Sequence, residues 1–232
     1  MRVLTWNLFH GRAVPERRYA LTNEFVNALS GWEWDVALLQ EVPPWWPQLL
    51  ATECGAQERH VLTSRNFGLA LRRLVAERRP DLMKSSGGGA NAILVRPGAG
   101  SITAHAQRRL RIRPERRRVH AVRLVGRSGP VWVANVHAQV RPHSLTRADL
   151  EAAGAAVLRW AGREPCMLGG DLNVPDPVVA GFTDAGGHGV DRFLLGPGIA
   201  ADGRAQVLDR AGGLSDHAPV LLRVGLSSRT GS

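Results

Sequence analysis

Short apolar runs recur along this chain, each closed by polar residues or glycine, and their spacing sets the first expectations. They predict strands over 3–6, 36–39, 92–95, 119–125, 131–136, 166–168, 190–195 and 219–224. The runs at 119–125 and 131–136 flank Gly126 to Gly129, which reads as a hairpin turn, and Gly169-Gly170 is expected to end the strand that opens at Cys166. Helical periodicity covers 18–29 and 145–161, the second with leucines and alanines on one face and Glu151 and Arg159 on the other. Two stretches, 80–89 and 176–189, read as long loops. Strands and helices are mixed, with hairpins as well as crossovers, so the fold class is α/β (α+β) in layers rather than a simple doubly wound sheet. No repeat or linker divides the chain. One domain over 1–225 is expected, with 226–232 as a disordered tail.

Composition changes this picture little. With 232 residues, 44% of them hydrophobic, the chain is long enough for a real core and is neither disordered nor fibrous. Its formal charge of +10 favours polyanionic partners, but of 30 cationic residues only Lys84 is a lysine. Such an arginine excess matches GC-rich codon usage, which discounts the charge as functional evidence. Two cysteines are too few for a disulfide scaffold, and Cys166 in its apolar run reads as a buried small hydrophobe. The opening residues turn polar before a signal-peptide core can develop, and no run is long enough to span a membrane. A cytoplasmic, monomeric protein is the expectation.

The informative feature is what stands at the strand ends. Asn7 follows the first run, Glu41 the second and His137 the run ending at Val136; Asp171 and Asn173 follow Gly169-Gly170. Asp191 opens the run before Phe193, and Asp216-His217 precede the last strand. Any one of these fits a turn or cap. Together they gather where sheets commonly build sites. Glu41 with Asp171, Asp216 or both offers hard oxygen ligands for Mg²⁺ or Mn²⁺. His137 and His217 can move protons or donate to phosphate, and Asp191 can fix a histidine tautomer. There is no nucleophile elbow and no Walker or Rossmann glycine motif. The chemistry implied is metal-assisted attack of water on phosphorus.

Six ordered motifs carry a resemblance: Thr5-Trp6-Asn7, Leu39-Gln40-Glu41, Asn135-Val136-His137, Gly170-Asp171-Leu172-Asn173, Val190-Asp191-Arg192-Phe193 and Ser215-Asp216-His217-Ala218-Pro219. They resemble the endonuclease/exonuclease/phosphatase superfamily, the DNase I-like Mg²⁺-dependent phosphoesterases, over residues 1 to about 225. The resemblance implies a four-layer sandwich, two mixed sheets face to face with helices outside. It implies Glu41 as the principal metal carboxylate with Asn7 beside it, and Asp216 as a metal-proximal acid. Asp171 then orients or deprotonates the attacking water, and Asn173 contacts phosphate and water. His217 is the catalytic histidine, bonded to Asp191, and His137 is a phosphate ligand or general acid. Asn91, in a looser motif, lies near the phosphate.

Departures bear on substrate. The AP-endonuclease branch carries a mid-chain tyrosine, whereas Tyr19 is the only tyrosine here. Val42-Pro43-Pro44 replaces the arginine that follows the Gln-Glu motif in secreted DNase I. The leading expectation is a nuclease acting on DNA or RNA, with Arg116, Arg117 and Arg118 in a polyanion track. The same arginines also fit a charged edge strand. Trp32, Trp34, Trp45 and Trp46 are either base-stacking surfaces or packing. The alternatives on the same core are a phosphomonoesterase or lipid phosphodiesterase for inositol phosphate or sphingomyelin-like head groups, and a catalytically dead binding module.

Overall fold

The computed structural model describes residues 1–63 and 89–227. The loop expected over 80–89 lies outside them except for Gly89, as does the tail from residue 228 onward. One sheet is built from β1 (Arg2–Asn7), β2 (Val36–Val42), β3 (Gln57–Leu62), β4 (Ala90–Val95), and, from later in the chain, β11 (Ile199–Ala201), β12 (Gln206–Val207) and β13 (Val220–Leu226). Its order is β11-β13-β1-β2-β4-β3, with β12 also on β13. The other sheet has β5 (Ser101–Arg111), β6 (Arg117–Gly126), β7 (Gly129–His137), β8 (Cys166–Asp171), β9 (Thr183–His188) and β10 (Asp191–Leu195), in the order β5-β6-β7-β8-β10-β9. Helices α1 (Thr22–Gly31) and α2 (Pro47–Glu53) cover the first sheet, and α3 (His143–Ala161) covers the second.

Alternation along each strand explains the layering. In β1 and β2, Val3, Val36 and Leu38 point at the other sheet, where they meet Val122, Val133, Met167 and Phe193. Their neighbours Leu4, Ala37 and Leu39 point outward onto Phe25, Leu29 and Leu50 of α1 and α2. On the far side Val119, Ala134 and Leu168 pack against Leu150, Ala153 and Val157 of α3. Strands apolar on both faces are what a sheet sandwiched between two layers requires. The four-layer architecture expected from the sequence is present.

Several boundaries move, for physical reasons. Helix α1 starts at Thr22 rather than 18, because Arg18, Tyr19 and Ala20 are exposed and the buried stripe begins at Leu21. β8 does not stop at its glycines: it runs through Gly169 and Gly170 to Asp171. A Cβ on Gly169 would sit 2.8 Å from Leu38 of the facing sheet, and one on Gly170 2.0 Å from the Val136 carbonyl, so the glycines permit close approach. The loop expected over 176–189 contains β9, a glycine-rich edge strand. β13 continues to Leu226, one residue beyond the expected domain end. Both cysteines are free, and Cys166 is fully buried. Among the described residues no helix is long and apolar enough to cross a membrane.

Candidate active site

The two parallel pairs, β1 with β2 and β7 with β8, lie in the middle of their sheets and end on the same side of the sandwich. Asn7 is the last residue of β1, His137 of β7 and Asp171 of β8. Register completes the group: His137 pairs with Asp171, and Asp171 pairs with Asp191, the first residue of β10. Glu41 stands in a β-bulge between Leu39 and Val42, with a left-handed backbone (φ 49°) that re-aims its side chain. Asp216 and His217 come from the turn before β13, where Ser215 is also left-handed (φ 64°).

Asp171 is the hub. Asn7 Nδ2 donates to its Oδ2 (3.0 Å), and the Asn173 backbone N–H donates to its Oδ1 (3.1 Å). His137 Nε2 lies 3.4 Å from the same Oδ2 and His217 Nε2 4.0 Å from it. His217 Nδ1 sits 2.6 Å from Asp191 Oδ2, which fixes the ring so that Nε2 faces Asp171. Ser215 holds the turn: its Oγ donates to the Asn7 carbonyl (2.6 Å) and accepts from the His217 backbone N–H (3.0 Å). Asn173 (φ 53°) turns back so that Nδ2 donates to the Ala138 carbonyl (2.9 Å).

Burial and neighbouring charge set the protonation. Burial, joined by the Asp191 charge, raises Asp171 well above an ordinary carboxyl, against the pull of His217 and Asn7. Burial opposes the His217 imidazolium, yet the hydrogen bond and charge of Asp191, with Asp171 and Asp216 behind them, lift it to about 9. His137 moves the other way: burial, then the Arg117 and His217 charges, hold it neutral. Two histidines in one site thus differ in charge, the separation that acid–base work needs.

Asp171, Asp191 and His217 bring possible ligand atoms within 4.8 Å of one another. His217 and Asp191 already bond each other, with Asp171 Oδ2 4.0 Å from His217 Nε2, so we read the trio as a proton-handling unit. A divalent cation fits Glu41 better. Burial raises the Glu41 pKa, against the Arg117 charge, and the Asp216 charge adds to the rise. Asn7 supplies an amide beside them. This hard oxygen set suits Mg²⁺ or Mn²⁺.

Other expectations divide. Asn91, on β4 opposite the Glu41 bulge, is buried with neither amide atom hydrogen-bonded. A buried amide without a partner is costly unless a ligand meets it. The run at 116–118 is not an exposed stripe: Arg116 is exposed and Arg118 half-buried, but the Arg117 side chain is only 6% exposed, pairs with Glu115 at 2.5 Å, and acts electrostatically on Glu41 and His137. The arginine-rich β5 is an edge strand. The tryptophans pack: Trp34 and Trp46 are buried, and Trp6 stacks among Phe25 and Trp32. Thr5, Gln40 and Asn135 lie within the sequence motifs but carry no expected role. They form the floor between the sheets, Gln40 Nε2 donating to Asn135 Oδ1 (2.8 Å) and Asn135 Nδ2 to the Leu39 carbonyl (2.9 Å). A polar residue at an inward-facing position of an apolar strand was the signal. His10, also missed, lies with Nε2 3.1 Å from Glu41 Oε2.

Comparison with known proteins agrees with this fold. The model of the Endonuclease/Exonuclease/phosphatase family matches residues 4–217. An endonuclease/exonuclease/phosphatase structure from Beutenbergia cavernae superposes with a TM-score of 0.73 at 17% identity, covering 97% of this chain and 71% of that one. A mannosyl-6-phosphatase from Bacteroides thetaiotaomicron (TM-score 0.71, 13% identity) covers 97% of this chain and 100% of its own. D. rerio TDP2 complexed with a single-strand DNA product (TM-score 0.70, 13% identity) covers 97% and 98%. Curated protein sequences give no match.

Proposed function

The chain belongs to the endonuclease/exonuclease/phosphatase family, and on that premise we propose that it is a divalent-metal-dependent phosphodiesterase acting on nucleic acid. The observation that carries the reading is Asp171, buried and raised toward neutrality between Asn7, His137 and the Asp191–His217 pair. A carboxylate tuned upward takes a proton from water more readily than an ordinary one. In this scheme Asp171 orients the attacking water and accepts its proton as the new P–O bond forms. The bond to the leaving oxygen breaks with its electron pair on that oxygen. His217, positively charged, faces the charge that builds on the phosphoryl oxygens, and Asp191 holds its ring. Neutral His137 and Asn173 orient the phosphate. Glu41, with Asn7 and Asp216, would hold the cation, whose chemistry is to neutralise phosphoryl charge.

Exposed arginines support the polyanionic substrate. Arg108 and Arg109 on β5 and Arg113 and Arg116 in the following turn gather at the site end of the second sheet. The fold shared with a TDP2 bound to a DNA product supports the same choice. A second reading, a small phosphomonoester, is favoured by Arg117: a buried guanidinium near Glu41 and His137 suits the extra charge of a monoester. Turnover on single- and double-stranded DNA, RNA and a sugar phosphate, measured side by side, separates the two. A tenfold preference for a nucleic acid supports the diesterase; a tenfold preference for the sugar phosphate overturns it.

A further inference from the structure

The turn after β1 keeps a backbone shape that its residues do not favour. Phe9 (φ 48°), His10 (φ 54°) and Gly11 (φ 77°) are left-handed in succession. For Phe9 and His10 that costs about 1–2 kcal/mol each. The turn is held by Phe9 N–H donating to Asn7 Oδ1 (2.9 Å), by Leu8 N–H donating to the Gln40 carbonyl (2.8 Å), and by Arg12 stacked 3.7 Å from the Phe9 ring. Gly89 lies beside the imidazole: a Cβ there would be in ordinary contact with His10 Cε1, at 3.6 Å. The result is a directed contact: His10 Nε2 lies 3.1 Å from Glu41 Oε2, with both side chains largely shielded from solvent.

That separation suits an N–H···O bond, and it also suits two neighbouring atoms of one cation's ligand shell. The donors differ in kind. A carboxylate serves Mg²⁺ and Mn²⁺ alike. Mg²⁺ dehydrates reluctantly and takes oxygen, whereas transition cations accept imidazole nitrogen. We propose that His10 is a specificity-determining ligand that completes the Glu41 site and selects Mn²⁺ over Mg²⁺. The inference rests on the reading of Glu41 as the metal carboxylate. It gives the strain in this turn a use, because the left-handed run places an imidazole beside Glu41.

Asn tolerates a left-handed backbone, so His10→Asn removes the ring without adding strain. Metal-free wild type, His10→Asn and Glu41→Gln are titrated with Mn²⁺, read by electron paramagnetic resonance of the free ion, and with Mg²⁺ in competition. His10→Asn should raise the Mn²⁺ Kd at least about tenfold, the scale of loss when a site's supporting residues are removed, and the Mg²⁺ Kd less than about twofold. Electron spin-echo modulation of the Mn²⁺-loaded wild type should show a coordinated ¹⁴N that disappears in His10→Asn. Equal weakening of both ions would make His10 an orienter of Glu41 only and overturn the proposal, as would an unchanged Mn²⁺ Kd or a persisting ¹⁴N signal. Failure of the underlying reading looks different: Glu41→Gln would then bind both ions as wild type does.

Discussion

At one end of the sandwich the chain turns on glycine; at the other, residues that resist turning share the left-handed backbone with glycines such as Gly11 and Gly170. Gly100, Gly129 and Gly198 carry the positive φ values around a cleft of about 300 Å³ lined by Met1, Gly98, Arg127 and Gly225. Across the molecule Phe9, His10, Glu41, Asn173 and Ser215 take left-handed backbones beside the site. At about 1–2 kcal/mol apiece for Phe9, His10, Glu41 and Ser215, with Asn173 tolerating the conformation, this strain is a sizeable part of a domain's net stability, about 5–15 kcal/mol. Glycine would relieve the strain there but would remove the Glu41, Asn173 and His10 side chains to which the proposals above give roles. The relaxed end is therefore scaffold, and strain marks the end where chemistry is held in place.

The sharpest way to break this comparison is to separate activity from stability. Asp171→Asn and His217→Ala should each cut turnover on the order of 10²-fold or more, as expected for a lost acid–base group. Asp171→Asn should leave the Tm unchanged or raise it, because it removes a buried carboxylate that Asp191 repels. Thermal melts beside turnover test this, and a Tm that falls with activity would make Asp171 structural.

Paired glycine substitutions sharpen the two ends. Gly170→Ala pushes a Cβ to 2.0 Å from the Val136 carbonyl at φ 138°, directly under Asp171. Its expected cost is on the order of 3 kcal/mol. Gly129→Ala, at φ 94° with open space around it, should cost about 1 kcal/mol of backbone strain. Chemical denaturation of both measures the difference, and equal costs would remove the claim that close approach fixes Gly170.

Buried polarity alone does not mark the site, and His120 shows why. It is wholly buried on β6, its Nδ1 is 3.3 Å from His105 Nε2, and burial followed by the charges of His105 and His60 holds it well below an ordinary histidine. The unfolded chain binds a proton there that the folded chain refuses, so stability is full above the free histidine value near 6.5 and falls as pH drops below it. The slope is at most about 1.4 kcal/mol per pH unit for one group. Urea midpoints at pH 7 and 5.5 should differ, and His120→Asn should shrink that difference; an unchanged difference assigns it to other groups, His137 among them.

The smallest effect expected is at the rim. Arg116→Ala with Arg118→Ala should flatten the slope of log K against log salt for duplex DNA by about 1.8, two phosphate contacts' worth. Arg117→Ala should instead slow a small diester as well, because its guanidinium acts at Glu41 and His137. If all three behave alike, the distinction between buried and rim arginines fails.

Much of this was legible in the chain because periodicity and strand ends are local. The apolar runs of β1, β2, β7 and β8 announced mixed α/β layers and the family resemblance implied the sandwich, with Asn7, Glu41, His137, Asp171, Asp191, Asp216 and His217 at one end of it. What was not legible depends on the fold. β8 passes through Gly169-Gly170 because the facing sheet needs the room, and β9 forms from Thr183–His188 despite two glycines because β10 offers it an edge. Arg117 reads like its neighbours in sequence and differs only through burial beside Glu115. His10 sits in a turn whose left-handed path no propensity predicts.

The central claim, phosphoester hydrolysis by Asp171 and His217 beside a cation held at Glu41, has one direct test. Hydrolysis of bis(p-nitrophenyl) phosphate is followed for wild type, Glu41→Gln and Asp171→Asn, first in excess EDTA and then across a Mn²⁺ titration. The account predicts no turnover in EDTA and recovery of the wild type with Mn²⁺. Glu41→Gln should recover only at much higher Mn²⁺, and Asp171→Asn should stay slow at every concentration. Full turnover in excess EDTA, or an Asp171→Asn variant as fast as wild type, would contradict it.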